Sequence, residues 1–245
     1  MVRRKMLSEE VADMIASLIN TKYFPGDKIP NESELAKEFG VSRTTIREAI
    51  KQLCSKNVLK IYRGKGTFVC ENPGLQKDPF GLKYIKGDDI YYQFFETALL
   101  TEPSFAALAA QKATQEQIEK LSARHQEFIA DVDKYHNNEV PIEVLQKHDT
   151  FFHAGILTCC NNVIIARIKP FIELVIQDPT DTFIKSIPSS IKYHGLIIDA
   201  IKERNPVNAH RYTKDHLNDL VKIAVSTGLL QVEPKYPLPN NFSDN

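Results

Sequence analysis

No run of 18 apolar residues occurs in this 245-residue chain, so no membrane-spanning helix is expected. The opening "MVRRKMLSEEVADMI" is basic, but acidic residues interrupt what would have to be the apolar stretch of a secretory leader. A cytoplasmic protein is therefore expected. The four cysteines, Cys54, Cys70, Cys159 and Cys160, lack paired CxxC spacing, which argues against a zinc ribbon or a disulfide framework. Free thiols are expected, with the adjacent Cys159 and Cys160 as a redox-active alternative. Net charge is also missing, with 31 Lys+Arg against 31 Asp+Glu, but this balance hides an asymmetry. Residues 1–70 hold 13 basic against 8 acidic side chains, and the remainder holds 18 against 23. That division suits nucleic acid on one domain and a different partner on the other. No internal repeat is present.

The basic part contains "NESELAKEFGVSRTTIREAIKQL". Asn31 followed by Glu34 has the spacing of a capping box, Leu35, Ala36 and Phe39 form a stripe, and Gly40 ends the helix. Ser42 then opens a second helix in which Ile46, Ala49, Ile50 and Leu53 face inward together. Its first turns must present Ser42, Arg43, Thr44, Thr45 and Arg47 outward. Two helices joined by a short glycine-containing turn predict a helix-turn-helix, whose second helix enters the major groove of DNA. Arg43 and Arg47 suit guanine or phosphate, and the threonines suit phosphate or thymine methyl groups. A solvated helix end is the plain alternative. Upstream, Val11, Ile15, Leu18 and Ile19 predict a helix over 8–21. Downstream, "VLKIYRGKGTFV" predicts a hairpin of 58–62 and 67–69 around Gly64-Lys65-Gly66. The whole reads as a winged helix-turn-helix.

The run "PGDKIPNESELAKEFGVSRTTIREAIKQL" with "RGKGTFV" resembles the DNA-binding domain of GntR-family bacterial transcription regulators across residues 8–70. The resemblance implies DNA contacts at Ser33, Arg43, Thr44, Thr45, Arg47, Lys65 and Gly66. Many members carry Arg where this chain has Ser33, which implies a shorter contact or none there.

A winged domain over 1–72, a Pro- and Gly-containing linker over 73–88, a second domain over 89–230 and a flexible tail over 231–245 are expected. The second domain is helical throughout, so the fold class is mainly α. Thr114 with Gln117 predicts a capping box, and Leu121, Phe128, Ile129 and Val132 give that helix its apolar face. On the next helix, Ile142, Leu145, Phe152 and Ile156 form a stripe on which Asp149 also falls, with His153 one turn on. His194 lies among Ile191, Ile197, Ile198 and Ile201, and His216 between Tyr212, Leu220 and Ile223. A buried carboxylate needs compensation, and an Asp with imidazoles suits a divalent ion such as Zn, Ni or Mn. The alternative is that these are satisfied core residues, as expected for His125. His148 and His210 sit off the best stripes, and His136 closes a polar helix end.

The segments "DTFFH", "NN", "HGLIIDAI" and "AHRYTKDHL" resemble the FCD effector-binding domain of the FadR subfamily of GntR regulators. This implies an antiparallel helical bundle with a metal on Asp149, His153, His194 and His216. Members with this domain often carry an Arg for the effector carboxylate, but its position here is Ala98, and no Lys or Arg lies between Gly87 and Lys112. The reading is a homodimeric regulator of double-stranded operator DNA, a repressor by resemblance to most relatives. A small carboxylic acid bound at the metal controls it, with Asn162 orienting that effector. Sensing of the ion itself, or a metal-dependent enzyme using an open coordination position, are the alternatives.

Overall fold

The computed structural model describes residues 6–76, 78, 80–85, 90–168 and 180–232. The chain divides into two compact units, with the division between Pro79 and Phe80. In the first unit the order is α1 (Leu7–Lys22), α2 (Glu32–Phe39), α3 (Arg43–Ser55), β1 (Leu59–Tyr62) and β2 (Gly66–Val69). Local chemistry sets the helix ends. Asn31 Oδ1 accepts from the N–H groups of Ser33 and Glu34, and the Glu34 carboxylate accepts from the Asn31 N–H at 2.8 Å. Gly40 ends α2 at φ 66°, a left-handed conformation that glycine adopts without penalty. Ser42 Oγ accepts the Thr45 N–H at 3.1 Å and opens α3.

All four expected inward residues of α3 (Ile46, Ala49, Ile50 and Leu53) are buried, against Val11, Ile15 and Ile19 of α1 and Leu35 of α2. Leu59 and Val69, paired across the antiparallel hairpin, close this core. The hairpin differs slightly from expectation. Gly66 belongs to β2, paired with Tyr62, so the turn is Arg63–Lys65. A Cβ at Gly66 would lie 2.5 Å from Lys28 Cε, because the segment before α2 bridges to Phe68. That bridge adds a third, single-residue contact to the wing.

In the second unit a short 3-10 helix at Leu82–Tyr84 precedes α4 (Ile90–Lys112), α5 (Gln115–His136), α6 (Ile142–Cys159), α7 (Val163–Ala166), α8 (Thr180–Lys202) and α9 (Pro206–Ser226). No strand occurs here among the described residues. The Thr114–Gln117 capping box starts α5. Helix α4 packs against α9, α6 and α8, while α5 packs against α6 and α8. Leu121, Phe152, Ile156, Ile197 and Ile201 lie in the shared core, with the small residues Ala106, Ala109 and Ala110 of α4. At Gly155 a Cβ would sit 2.8 Å from Leu121 Cδ1, so a larger residue there would require the Leu121 side chain to shift. The molecule is thus mainly α, a winged helix-turn-helix followed by a helical bundle. The 3-10 helix lies within the expected linker. Residues 77, 79 and 86–88 of that linker, and 233–245 of the expected tail, lie outside the described residues.

Candidate functional site

The first unit presents a polar surface at the start of α3. Ser33, Ser42, Arg43, Thr44, Arg47 and Lys65 are exposed, while Thr45 and Gly66 are half-buried. Not all of these groups are unengaged. Ser42 Oγ and Thr45 Oγ1 lie 2.8 Å apart and share a hydrogen bond, so these hydroxyls also serve the helix start. Arg47 donates from Nε and Nη2 to the two carboxylate oxygens of Glu32 on α2. This hydrogen bond, with the Arg47 charge, holds the Glu32 carboxyl below its usual range. Glu32 was invisible as a partner in the sequence because it lies 15 residues away on another helix.

The second unit gathers polar groups in its interior. His153, His194 and His216 come from α6, α8 and α9, and one nitrogen of each lies within 4.8 Å of those of the others. Asp149 joins them: its Oδ1 is 3.6 Å from His194 Nε2, and its Oδ2 is 3.9 Å from His153 Nε2. All four are buried. Phe152 stacks on His194 with ring centroids 3.6 Å apart and planes at 13°, which fixes that imidazole's tilt.

His153 Nδ1 donates to Glu102 Oε2 at 2.8 Å. With Nδ1 committed, Nε2 is turned toward Asp149 and the other imidazoles, the arrangement by which a carboxylate orients a metal-binding histidine. Glu102 carried a signal that sequence reading passed over. It is a lone acid on the apolar face of α4, four residues from both Ala98 and Ala106. Burial opposes charge on His153, but the Glu102 charge and hydrogen bond, with Asp149, raise it to about 9. Burial pushes the Asp149 carboxyl up, opposed by His153 and by a hydrogen bond from Ser190. Burial holds His194 and His216 well below the usual histidine range, so both are neutral donors.

Four atoms in this cluster are buried with no hydrogen-bond partner: Asp149 Oδ1, His194 Nε2, and both ring nitrogens of His216. Each such group costs about 1–3 kcal/mol unless something else satisfies it. Three imidazoles and a carboxylate, with unpartnered atoms on Asp149, His194 and His216 and with His153 able to join once its Nε2 proton is displaced, are a donor set that fits a divalent cation.

The remaining candidates sort differently. Asn162 does not join the cluster. Its Oδ1 accepts the Ile164 and Ile165 N–H groups as the cap of α7, beyond the end of α6 at Cys159. Ala98 is 1% exposed and packs among Phe94, Phe95 and Leu217, so an apolar contact occupies the position at which the resemblance implied an Arg in other members. His125 is buried, but it is not the satisfied core residue expected, since its Nδ1 has no hydrogen-bond partner; His148 bonds Asp131 at 2.9 Å, and His136 and His210 are exposed. Burial pushes the Cys159 and Cys160 thiols up to about 11, which keeps them protonated and unreactive. No helix among the described residues is long and apolar enough to cross a membrane.

Comparison with known proteins agrees with both halves. Residues 7–69 match the family described as bacterial regulatory proteins, gntR family, and residues 93–219 match the FCD domain. The chain is 25% identical over 197 residues to the galactonate operon transcriptional repressor of Escherichia coli, covering 77% of this chain and 83% of that protein. It is 28% identical over 239 residues to the transcriptional repressor NanR of Cronobacter sakazakii, covering 89% and 85% respectively. Among solved structures, Streptococcus agalactiae GntR superposes with a TM-score of 0.72 at 32% identity, covering 87% of this chain and 98% of that one. These relatives are regulators, which leaves no role for a metal-dependent enzyme. The chain belongs to the gntR family of bacterial regulatory proteins and, with its winged helix-turn-helix joined to an FCD domain, is a DNA-binding transcription regulator.

Proposed function

We propose that this regulator is a cytoplasmic homodimeric repressor whose operator affinity is set by a small carboxylic acid, bound at a divalent ion on Asp149, His153, His194 and His216. The observation that carries the reading is the set of four buried, partnerless donor atoms among three of these residues. A bound Zn, Ni or Mn ion would supply positive charge and open coordination positions for a carboxylate with an adjacent hydroxyl or keto oxygen. The protein's own residues do the rest. Glu102 orients His153 so that Nε2 faces the site, and Phe152 fixes the plane of His194.

On the DNA side, Arg43 and Arg47 contact base edges or phosphates, Ser33, Ser42, Thr44 and Thr45 contact the backbone, and Lys65 and Gly66 bring the wing against a phosphate or the minor groove. One winged domain reads only a half-site, so two copies on a two-fold operator are needed for specificity, with the helical domain as the interface. Relatives named as repressors, one of them of a galactonate operon, support both the repressor role and an acid effector.

Elemental analysis and light scattering test this together. Close to one divalent ion per chain is expected, with a solution mass twice the 27.8 kDa of one chain. Protein with no ion after metal-replete expression would sink the metal centre, and a monomer would sink the dimer. A chelator-treated sample that still responds to an acid would place the effector elsewhere. A response to metal titration alone would mark the ion itself as the signal.

A further inference from the structure

The wing carries a cation that its own hairpin does not supply. Leu59 and Val69 face the core, so the alternate positions Lys60, Tyr62, Gly66 and Phe68 lie on the opposite face of the hairpin. The segment before α2 joins this hairpin at its edge. Lys28 bridges to Phe68, the Ile29 N–H donates to the Thr67 carbonyl at 3.0 Å, and the Val69 N–H donates to the Asp27 carbonyl at 2.8 Å. Lys28 is thereby held through its backbone, and its side chain lies across Gly66. A Cβ on Gly66 would meet Lys28 Cε at 2.5 Å and Nζ at 3.2 Å, so the space that the glycine leaves is the seat of this lysine. Its ammonium stands beside the residue that follows Lys65. Lys28 is exposed, and among the described residues its side chain has no ion pair or hydrogen bond. The charges nearest to it are engaged elsewhere: Lys60 lies over the Tyr62 ring at 5.1 Å, and the Asp27 carboxylate accepts the Phe24 N–H at 2.8 Å.

We propose that Lys28 holds a DNA phosphate of its own, next to the contact made by Lys65, and that Gly66 serves this contact by leaving room for the lysine. This rests on the reading above in which the wing meets DNA. An ammonium is a compact charge without the planar fork of a guanidinium, which suits a phosphate oxygen better than the edge of one base. Lys28 is also partly ordered before DNA arrives, because its backbone is pinned to β2 and its stem rests on Gly66, so less rotamer freedom is lost on binding. Neutralising one phosphate releases counterions and contributes about 0.9 to the fall of log affinity with log salt. A lysine that did no more than pack on the wing would contribute nothing to that slope.

The test is fluorescence anisotropy of the full-length protein on a labelled random-sequence duplex of about 30 base pairs, read between about 50 and 200 mM salt. Lys28→Met keeps an unbranched stem of similar length over Gly66 and removes only the charge, and since Lys28 is exposed the core is untouched. This variant is expected to bind at least about threefold more weakly at the low salt, and to lose about threefold less affinity than the wild type across the salt range. Lys28→Arg should keep the wild-type slope. Combined with Lys65→Ala, Lys28→Met should lower the slope by about twice as much as either change alone. Wild-type affinity and slope in Lys28→Met, with the slope lowered in Lys65→Ala, would overturn the role of Lys28 and leave the wing on DNA. Unchanged slopes in both single variants would overturn both readings. Weaker binding at an unchanged slope would make Lys28 a support for the wing's shape, and a double variant no different from Lys65→Ala would mean that Lys28 has no phosphate of its own; either result overturns the inference.

Discussion

Arg47 on α3 lies in a two-pronged pair with Glu32 on α2, Nε donating at 3.1 Å and Nη2 at 2.9 Å. The Arg47 side chain is 53% exposed and that of Glu32 30% exposed, so in water the pair adds little to stability. Its effect is on presentation. The carboxylate holds the guanidinium on the outward face of α3 and offsets its charge, so Arg47 must gain from DNA what it gives up to Glu32. We predict that Glu32→Gln raises affinity for random DNA severalfold while lowering the ratio of operator to random binding, measured by gel shift with competitor. An unchanged ratio would mean that the pair has no part in sequence reading.

Arg43→Ala and Arg47→Ala should each weaken operator binding by about 1–3 kcal/mol, the worth of a bidentate base contact, and relax sequence preference. Wild-type operator affinity in both variants would remove α3 from the interface.

Lys65 at the tip of the wing should behave differently. Lys65→Ala is expected to weaken operator and random DNA alike and to lower the salt dependence of binding by about one counterion. Binding measured at two salt concentrations separates this from a base contact, which would leave the salt slope alone and change specificity.

Removing a ligand should uncouple the two units' activities. His194→Ala and His216→Ala are expected to lose the bound ion by elemental analysis while keeping operator affinity within about threefold, since the DNA surface lies in a separate unit. A full ion complement in both variants would return these histidines to the role of core residues.

The tie between Glu102 and His153 predicts a graded effect. Glu102→Gln keeps an acceptor for Nδ1 but removes its charge, and should lower metal affinity about 10- to 100-fold without abolishing it. Competition with a chromogenic chelator reads this directly. Unaltered affinity would mean that Glu102 does no more than satisfy a buried N–H.

Much of this molecule was legible in the sequence because its governing interactions are local. The Asn31–Glu34 and Thr114–Gln117 boxes, the Gly40 stop and the inward stripe of α3 each depend on residues within one or two helical turns, which spacing alone records. The same spacing brought Asp149 and His153 to one face of α6, and periodicity put His194 and His216 inside their helices. What only the packing of α4, α6, α8 and α9 decided is which of these buried groups meet. Glu102 reaches His153 across 51 residues, Phe152 lies flat on His194, and five apolar side chains from three helices wall the space beside them. Asn162 shows the converse. A polar residue near the site in sequence was captured by the nearest orphan N–H groups, because capping a helix one residue away needs no tertiary structure at all.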